Sequence, residues 1–136
     1  MTLPRCSRLR CKRIARIGAL CVQCAEKLVD DNYRKLCREM DGRCMMAGKL
    51  GLECWGYLQG AHVYRVRHRA IRWSLMPRNC FALCQAHHRK VDNDEAAWLE
   101  YAKTVWTPEE FDQMQAQTNV EMDRVLSIEQ ALEALI

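Results

Sequence analysis

Nine cysteines in 136 residues restrict the possible folds of this chain more than any other feature. Four of them lie near the N-terminus, in the spacings Cys6-x4-Cys11 and Cys21-x2-Cys24. A Cys-x2-Cys knuckle places two thiolates on one tight turn, and a second pair completes a tetrahedron around Zn2+. The spacing therefore predicts a four-cysteine zinc module in residues 1–25.

The same cysteines could form disulfides, which need an oxidising compartment. The N-terminal residues contain Arg8, Arg10, Lys12 and Arg13 and no apolar stretch, so we expect no secretory signal. The cysteine count is also odd, which would leave one thiol over. We therefore favour metal ligation in a cytoplasmic protein.

A second and looser set of zinc ligands is expected further along the chain. Its members are Cys44, Cys54, Cys84 and His87. The last two have knuckle spacing, whereas the first two are separated by a wider gap. Structural zinc sites include sets of three thiolates and one imidazole, so we expect a second zinc ion here. The remaining pair, Cys37 and Cys80, is expected to pack as small apolar residues.

Charge is divided unevenly along the chain. Residues 1–91 contain 19 basic and 6 acidic residues, whereas residues 92–136 contain 2 basic and 11 acidic residues. The basic part predicts a nucleic-acid-binding face. The acidic part predicts solvated surface or a contact for a protein partner. A mean hydropathy of −0.35 and the absence of any 18-residue apolar run argue against a membrane span.

Periodicity and turn signals predict the order of elements. An amphipathic linker helix is expected at 26–40, glycine-rich turns at 41–60, and short strands at 61–66 and 79–83. A helix is expected from Gln85, and 92–105 would continue it or form a second one. The capping box at Thr107 starts a helix expected to reach Thr118, and a last helix is expected from Ser127.

One block of residues indicates chemistry beyond structural zinc. It consists of Ala61-His62-Val63, then Asn79-Cys80-Phe81-Ala82-Leu83-Cys84-Gln85-Ala86-His87-His88, then Asp92. This block resembles the HNH endonuclease family, whose fold is a ββα-metal (His-Me) finger. The resemblance implies that His62 is a general base, that Asn79 is the middle residue of the motif, and that His88 binds the catalytic metal. Asp92 follows His88 by four residues on one helix face, which makes it a second ligand candidate.

The resemblance covers residues 4–95, because phage-type members also open with a short four-cysteine element. It implies a metal-dependent endonuclease that hydrolyses phosphodiesters in duplex or branched DNA, in the host cytoplasm if a phage encodes the chain. Imidazole is a suitable base near neutral pH, and Mg2+ or Mn2+ would stabilise the developing charge. Arginines between the strands would contact phosphates. They are Arg65, Arg67, Arg69, Arg72 and Arg78.

The expected fold is a small zinc-stabilised α+β fold in four segments. They are the zinc module at 1–25, the linker helix at 26–40, the ββα-metal finger at 41–95 and an acidic helical segment at 96–136. One position departs from the family, since many members have His or Asp where this chain has Ala61. The alternative function is therefore a non-catalytic, zinc-containing module that binds nucleic acid.

Overall fold

The computed structural model describes residues 3–135, which contain five helices and a two-stranded sheet. The elements in chain order are α1 (Val22–Asp41), β1 (Leu58–His62), β2 (Cys80–Cys84), α2 (Gln85–Asp92), α3 (Glu95–Val105), α4 (Pro108–Gln117) and α5 (Arg124–Leu135). The expected small α+β class is thereby confirmed. Met1, Thr2 and Ile136, which begin and end the first and last expected segments, lie outside the described residues.

The chain forms two compact units. One comprises the described residues up to Tyr33 together with those from Met122 onward, and we call it the split unit. The other comprises Arg34–Glu121, and we call it the continuous unit. Within the split unit, Arg124 donates two hydrogen bonds to Glu26, at 3.0 and 3.2 Å, which join residues 98 positions apart.

Helix α1 extends the expected linker helix at both ends. It begins directly after Cys21, so the second cysteine of the knuckle lies in its first turn. It ends before Gly42, whose φ of +68° is easily reached without a Cβ atom. Every fourth residue along one face is fully buried, which is the spacing that keeps side chains on one side of a helix. These residues are Ala25, Val29, Tyr33 and Cys37.

The sheet consists of β1 and β2, which pair antiparallel with His62 opposite Cys80. The expected positions of the strands are wrong: β1 begins three residues and ends four residues before its expected bounds, and β2 lies one residue later than expected. Strand β1 ends at His62. Beyond it, the backbone of Tyr64 pairs with the side chain of Asn79 and no longer with the backbone of the neighbouring strand. Gly60 lies inside β1 and not in a turn.

All five residues of β2 are buried, and the core of the continuous unit is built on them. Phe81 meets Trp98 and Tyr101 edge-on, with ring centroids 6.1 and 5.9 Å apart. The expected packing roles of the two remaining cysteines fit this placement, since Cys37 and Cys80 are both 0% exposed.

The helices after the sheet begin at polar caps. Asp94 accepts a hydrogen bond from the backbone of Ala97 and starts α3 as a helix separate from α2. The capping box at Thr107 is confirmed at the start of α4, which ends at Gln117, one residue before the expected end.

Helix α5 begins three residues before the expected Ser127. Asp123 accepts a hydrogen bond from the backbone of Leu126 at 2.8 Å, so this carboxylate supplies the start signal. Among residues 3–135, no helix is both long and apolar enough to span a bilayer.

Candidate metal centres and the histidine cavity

The first cluster of metal ligands lies in the split unit and contains Cys6, Cys11, Cys21 and Cys24, whose sulfur atoms all lie within 4.8 Å of one another. The sulfur of Cys11 is 3.9 Å from that of Cys21 and 3.9 Å from that of Cys24. Tetrahedral zinc with bonds of about 2.3 Å separates its sulfur ligands by about 3.8 Å. The expected donor set therefore fits zinc.

The loop before α1 positions the first two of these cysteines. The backbone N–H of Cys6 donates to Arg13 O at 2.7 Å, and that of Cys11 donates to Arg8 O at 3.0 Å. Arg10 adopts a φ of +64° between them, which lets the chain turn back sharply. The loop thus presents both thiols toward the knuckle at the start of α1.

The thiols of this cluster influence one another strongly. A hydrogen bond from the backbone of Cys21 lowers the pKa of Cys6 to about 6. The pKa of Cys24 is raised to about 12, first by its hydrogen bond with the Cys21 side chain and then by burial. Adjacent thiolates repel one another, so a cation among them is what allows all four to ionise.

The second cluster lies in the continuous unit and contains Cys44, Cys54, Cys84 and His87, again within 4.8 Å. His87 Nδ1 is 3.1 Å from the Cys84 sulfur and 3.8 Å from the Cys54 sulfur. His87 Nε2 donates to Lys49 O at 3.0 Å, which leaves the Nδ1 lone pair directed at the sulfurs. This set also fits zinc.

Contacts with the sheet explain how the wide gap between Cys44 and Cys54 closes. The backbone N–H of Met45 donates to Ala82 O at 2.9 Å and fixes the start of the loop on β2. The backbone N–H of Ala86 donates to Trp55 O at 3.2 Å and fixes its end on α2. The loop therefore surrounds the imidazole of His87, which spacing alone does not reveal.

A cavity of about 290 Å³ in the continuous unit contains the histidines of the HNH-like block, and we call it the histidine cavity. Its lining residues are Arg34, Gly60, His62, Val63, Arg65, Val66, His88, Val91, Asp92, Glu95 and Trp98. The structure thus brings His62, His88 and Asp92 together, as the resemblance implies.

His62 is held by contacts on its ring and on its backbone. Its Nε2 lies 2.9 Å from Arg72 O. A carbonyl only accepts hydrogen bonds, so Nε2 carries a proton, and in the neutral ring the lone pair is on Nδ1. Trp98 Nε1 donates to the carbonyl of His62 at 2.6 Å and fixes the end of β1.

His88 and Asp92 lie one turn apart on α2. His88 Nδ1 donates to Gln59 Oε1 at 2.8 Å, so the lone pair of this ring is on Nε2. That atom is 3.5 Å from Asp92 Oδ1, a separation that one divalent cation can bridge. The neighbouring His87 turns into the second cysteine cluster, so the two adjacent histidines lie in different groups of side chains.

Asn79 is completely buried and is not among the residues that line the histidine cavity. Its Oδ1 accepts from the backbone N–H of Tyr64 at 2.8 Å, and its Nδ2 donates to Tyr64 O at 3.1 Å. Asn79 thus fixes the backbone of Tyr64, two residues after His62. Its own side chain does not contact the cavity.

The arginines between the strands are placed differently from one another. Arg65 and Arg67 are exposed, and Arg65 lines the cavity, whereas Arg69 is half-buried. Arg72 is buried and its guanidinium lies over the Trp73 ring, so it differs from the expected phosphate-facing surface.

Arg78 also differs from that expectation, because it pairs with a carboxylate inside the unit. Its guanidinium donates to Asp41 Oδ1 at 2.6 Å, and its side chain is only 16% exposed. Arg78 therefore ties the segment before β2 to the end of α1 and is not placed to meet a phosphate.

Two charged residues of the cavity were missed by sequence reasoning. Arg34 comes from the linker helix, and no spacing relates it to the HNH-like block. Glu95 follows Asp92 by three residues, but it belongs to the next helix. Asp94, between them, caps the start of that helix and does not line the cavity. Ala61 is 1% exposed and faces the core, since neighbours in a strand point to opposite sides.

The arrangement places an imidazole with a fixed tautomer beside a second imidazole and two carboxylates, with two guanidinium groups lining the same cavity. Such a set can remove a proton, hold a divalent cation and attract a phosphate. No protein-family model, curated protein or solved structure matches the chain, so this interpretation depends on the geometry of its own residues.

Proposed function

We propose that this chain is a metal-dependent DNA endonuclease of the HNH type, which hydrolyses phosphodiester bonds and is stabilised by two structural zinc ions. The observation that supports the proposal most is the presence of His62, His88 and Asp92 in one cavity. Each of the two histidines has one ring nitrogen engaged as a donor. The other nitrogen of each ring therefore has the lone pair that the chemistry needs.

In this proposal His62 is the general base. Its Nδ1 accepts a proton from the attacking water, and the hydrogen bond from Nε2 to Arg72 O supports the positive charge that the ring then acquires. The contact of Trp98 with the His62 carbonyl keeps the ring from shifting as the proton is transferred.

His88 Nε2 and Asp92 Oδ1 would hold a divalent cation, and Glu95 adds a carboxylate to the same cavity. One imidazole with carboxylate oxygens suits Mg2+ or Mn2+. When bound, such an ion stabilises the negative charge on the phosphorane and on the leaving oxygen. Ala61 has no ligand atom at the position where many HNH proteins have His or Asp. The carboxylate of Glu95 would make up for that missing ligand.

DNA is the proposed substrate because of the charges around the cavity. Residues 34–91 include 12 basic and only 3 acidic residues. Arg34 and Arg65 line the cavity itself, where guanidinium groups can bind phosphate oxygens in pairs. Phosphate contacts of this kind position the backbone of DNA and leave its sequence unread.

Nicking of supercoiled plasmid tests the proposal. The wild-type chain is expected to nick in Mg2+ or Mn2+ and to stop in EDTA. His62→Ala should lower the rate by about 10²–10⁴-fold, the usual contribution of a general base. His68→Ala is the matched control, because His68 lies in the loop that follows β1 but bonds to Thr118 O outside the cavity.

Two results would count against this function. Nicking by His62→Ala at the wild-type rate would remove His62 from the role of base. Equal losses in His62→Ala and His68→Ala would indicate damage to the loop and not to the chemistry. Zinc content measured on both variants checks that the fold is retained.

The alternative, a non-catalytic module that binds nucleic acid, is favoured by one observation. The position before His62 is occupied by Ala61, which is buried and has no ligand atom. A wild-type chain that binds DNA with strong salt dependence and never nicks it in either metal would support this alternative.

A further inference from the structure

Two large aromatic side chains protrude beside the second metal cluster. Trp55 is 64% exposed and Tyr57 is 67% exposed. In contrast, Trp98 and Trp106 of the same unit are 3% and 6% exposed. Large exposed apolar side chains that lie close together can mark a binding surface.

The backbone that presents these two rings is fixed on both sides. Trp55 O accepts from the N–H of Ala86 at the start of α2. Gly56 has a φ of +82°, and a Cβ atom there would lie 2.0 Å from Gln85 Oε1, so the segment is pressed against α2. Leu58 then enters the sheet opposite Cys84. The rings are therefore offered by a rigid support, which lowers the entropy lost on binding.

The same segment leads directly into the histidine cavity. Tyr57 precedes Gln59 by two residues, and Gln59 bonds to His88. Tyr57 and Trp55 lie five and seven residues before His62, or at most about 17 and 24 Å along an extended chain. Those spans correspond to about five and seven nucleotides of a stacked DNA strand. When a phosphate of a DNA strand occupies the cavity, the bases of nearby nucleotides in that DNA strand would be within reach of the two rings.

The exposed cations of α2, the helix against which this segment lies, suit a nucleic acid better than an apolar partner. Gln85, which contacts Gly56, is followed one helical turn later by the exposed Arg89, on the same face of α2. Lys90 is exposed next to it. Aromatic faces near cations are the combination that binds unpaired bases, because rings stack on bases while cations meet phosphates.

We propose that Trp55 and Tyr57 form a stacking platform for unpaired bases, so that the preferred DNA contains a single-stranded or distorted segment within about seven nucleotides of the cleaved phosphate. This inference depends on the proposed endonuclease function for the position of the cleaved bond. The binding of unpaired bases itself does not depend on it.

Titration of the full chain with a twelve-nucleotide oligothymidylate, and in parallel with a twelve-base-pair duplex, tests the platform without added Mg2+. The oligothymidylate is expected to bind more tightly than the duplex and to quench tryptophan fluorescence. Trp55→Phe should retain affinity within about threefold while losing most of the quenching, because phenylalanine still stacks. Trp55→Ala and Tyr57→Ala should each weaken binding by about tenfold or more.

Val120→Ala is the matched control, because Val120 is a 45% exposed apolar residue of the same unit, outside both the platform and the cavity. Its affinity for oligothymidylate should equal that of the wild type. Zinc content and thermal melting of each variant show whether the fold is retained.

Unchanged affinity in both alanine variants would overturn the platform. So would a Trp55→Ala variant that changes self-association in sedimentation while binding oligothymidylate normally, because the rings would then contact protein. Loss of oligothymidylate binding in Trp55→Ala, with no nicking by the wild type, would support the platform and count against the endonuclease. Normal nicking by the wild type, with unchanged oligothymidylate binding in Trp55→Ala, would support the endonuclease and count against the platform.

Discussion

Asp41 shows how one carboxylate can join two elements. It is the last residue of α1, where a negative charge is unfavourable next to the helix carbonyls. Its Oδ1 accepts from Arg78 at 2.6 Å, and its Oδ2 accepts from the backbone N–H of Ala82 at 2.8 Å. The side chain is 3% exposed, so these partners replace water and tie α1 to β2.

Asp41→Ala should therefore destabilise the protein by about 3–5 kcal/mol, since it leaves the largely buried charge of Arg78 without its partner. The free energy of unfolding is measured by urea titration with zinc in excess. Asp31→Ala is the control, because its pair with Lys27 is exposed and should be worth less than about 1 kcal/mol. Equal costs for the two variants would contradict the role of Asp41.

Residues whose roles depend on local spacing could be predicted from the sequence. The cysteine knuckle and the pair His88 and Asp92 are examples, since a tight turn or one helical turn brings each pair together. Arg34 and Glu95 could not be predicted, because they reach the histidine cavity only through packing between distant elements. The ion pair of Arg78 with Asp41 could not be predicted for the same reason, since no local sequence pattern joins these two residues.

Among the elements, β1 has a notably close approach to a helix. A Cβ atom on Gly60 would lie 2.7 Å from the Cβ of Arg34 and 2.9 Å from its Cα. The glycine thus allows β1 to lie against the backbone of α1, in an ordinary strand conformation. This contact also sets the position of Arg34 in the histidine cavity.

Gly60→Ala should cost about 1–3 kcal/mol, the usual range for overpacking a tight contact. It should also lower nicking, because β1 ends at His62 and would shift with the strand. Gly42→Ala serves as a comparison, since nothing lies within 4 Å of its Cβ position and only its φ of +68° is strained. Gly42→Ala should therefore lower the free energy of unfolding and leave the nicking activity of each folded molecule unchanged. If Gly42→Ala also lost all activity, the loss in Gly60→Ala could not be assigned to a shift of β1.

The boundaries of elements were predictable where a cap follows a standard pattern. Thr107 and Glu110 form such a pattern, and α4 begins there. Helix α5 was placed three residues late because Asp123 caps it without the expected Ser127 signal. Strand β1 was misplaced because glycines before it resembled turns, whereas Gly60 serves the contact with α1.

At the scale of the whole molecule, each compact unit contains one candidate zinc cluster. The smaller split unit buries little apolar surface, so we expect a metal site to contribute much of its stability. Elemental analysis of the wild-type chain is expected to find two zinc ions per chain. Cys24→Ser and Cys84→Ser should each lose one and retain the other, because the two clusters share no ligand.

One zinc ion per wild-type chain would contradict this assignment and would require different roles for Cys44 and Cys54. Loss of both ions in Cys24→Ser would instead indicate that the units fold only together. Ser127→Ala, which removes a hydroxyl hydrogen-bonded within α5, is a control that should leave both ions in place.

The division into units was the part of the architecture least accessible from sequence. Composition indicated a basic part followed by an acidic helical part, and the four expected segments stay a prediction. That residues from Met122 onward group with residues up to Tyr33 depends on contacts such as Arg124 with Glu26, which no local pattern encodes.

This grouping has a consequence for synthesis on the ribosome. The continuous unit is complete once Glu121 has emerged, with its four zinc ligands and its histidine cavity. The split unit must wait for α5, although its cysteines emerge first. Because compact units fold as wholes, we expect the continuous unit to finish folding first, so that the cysteines made earliest wait longest for the residues that complete their unit.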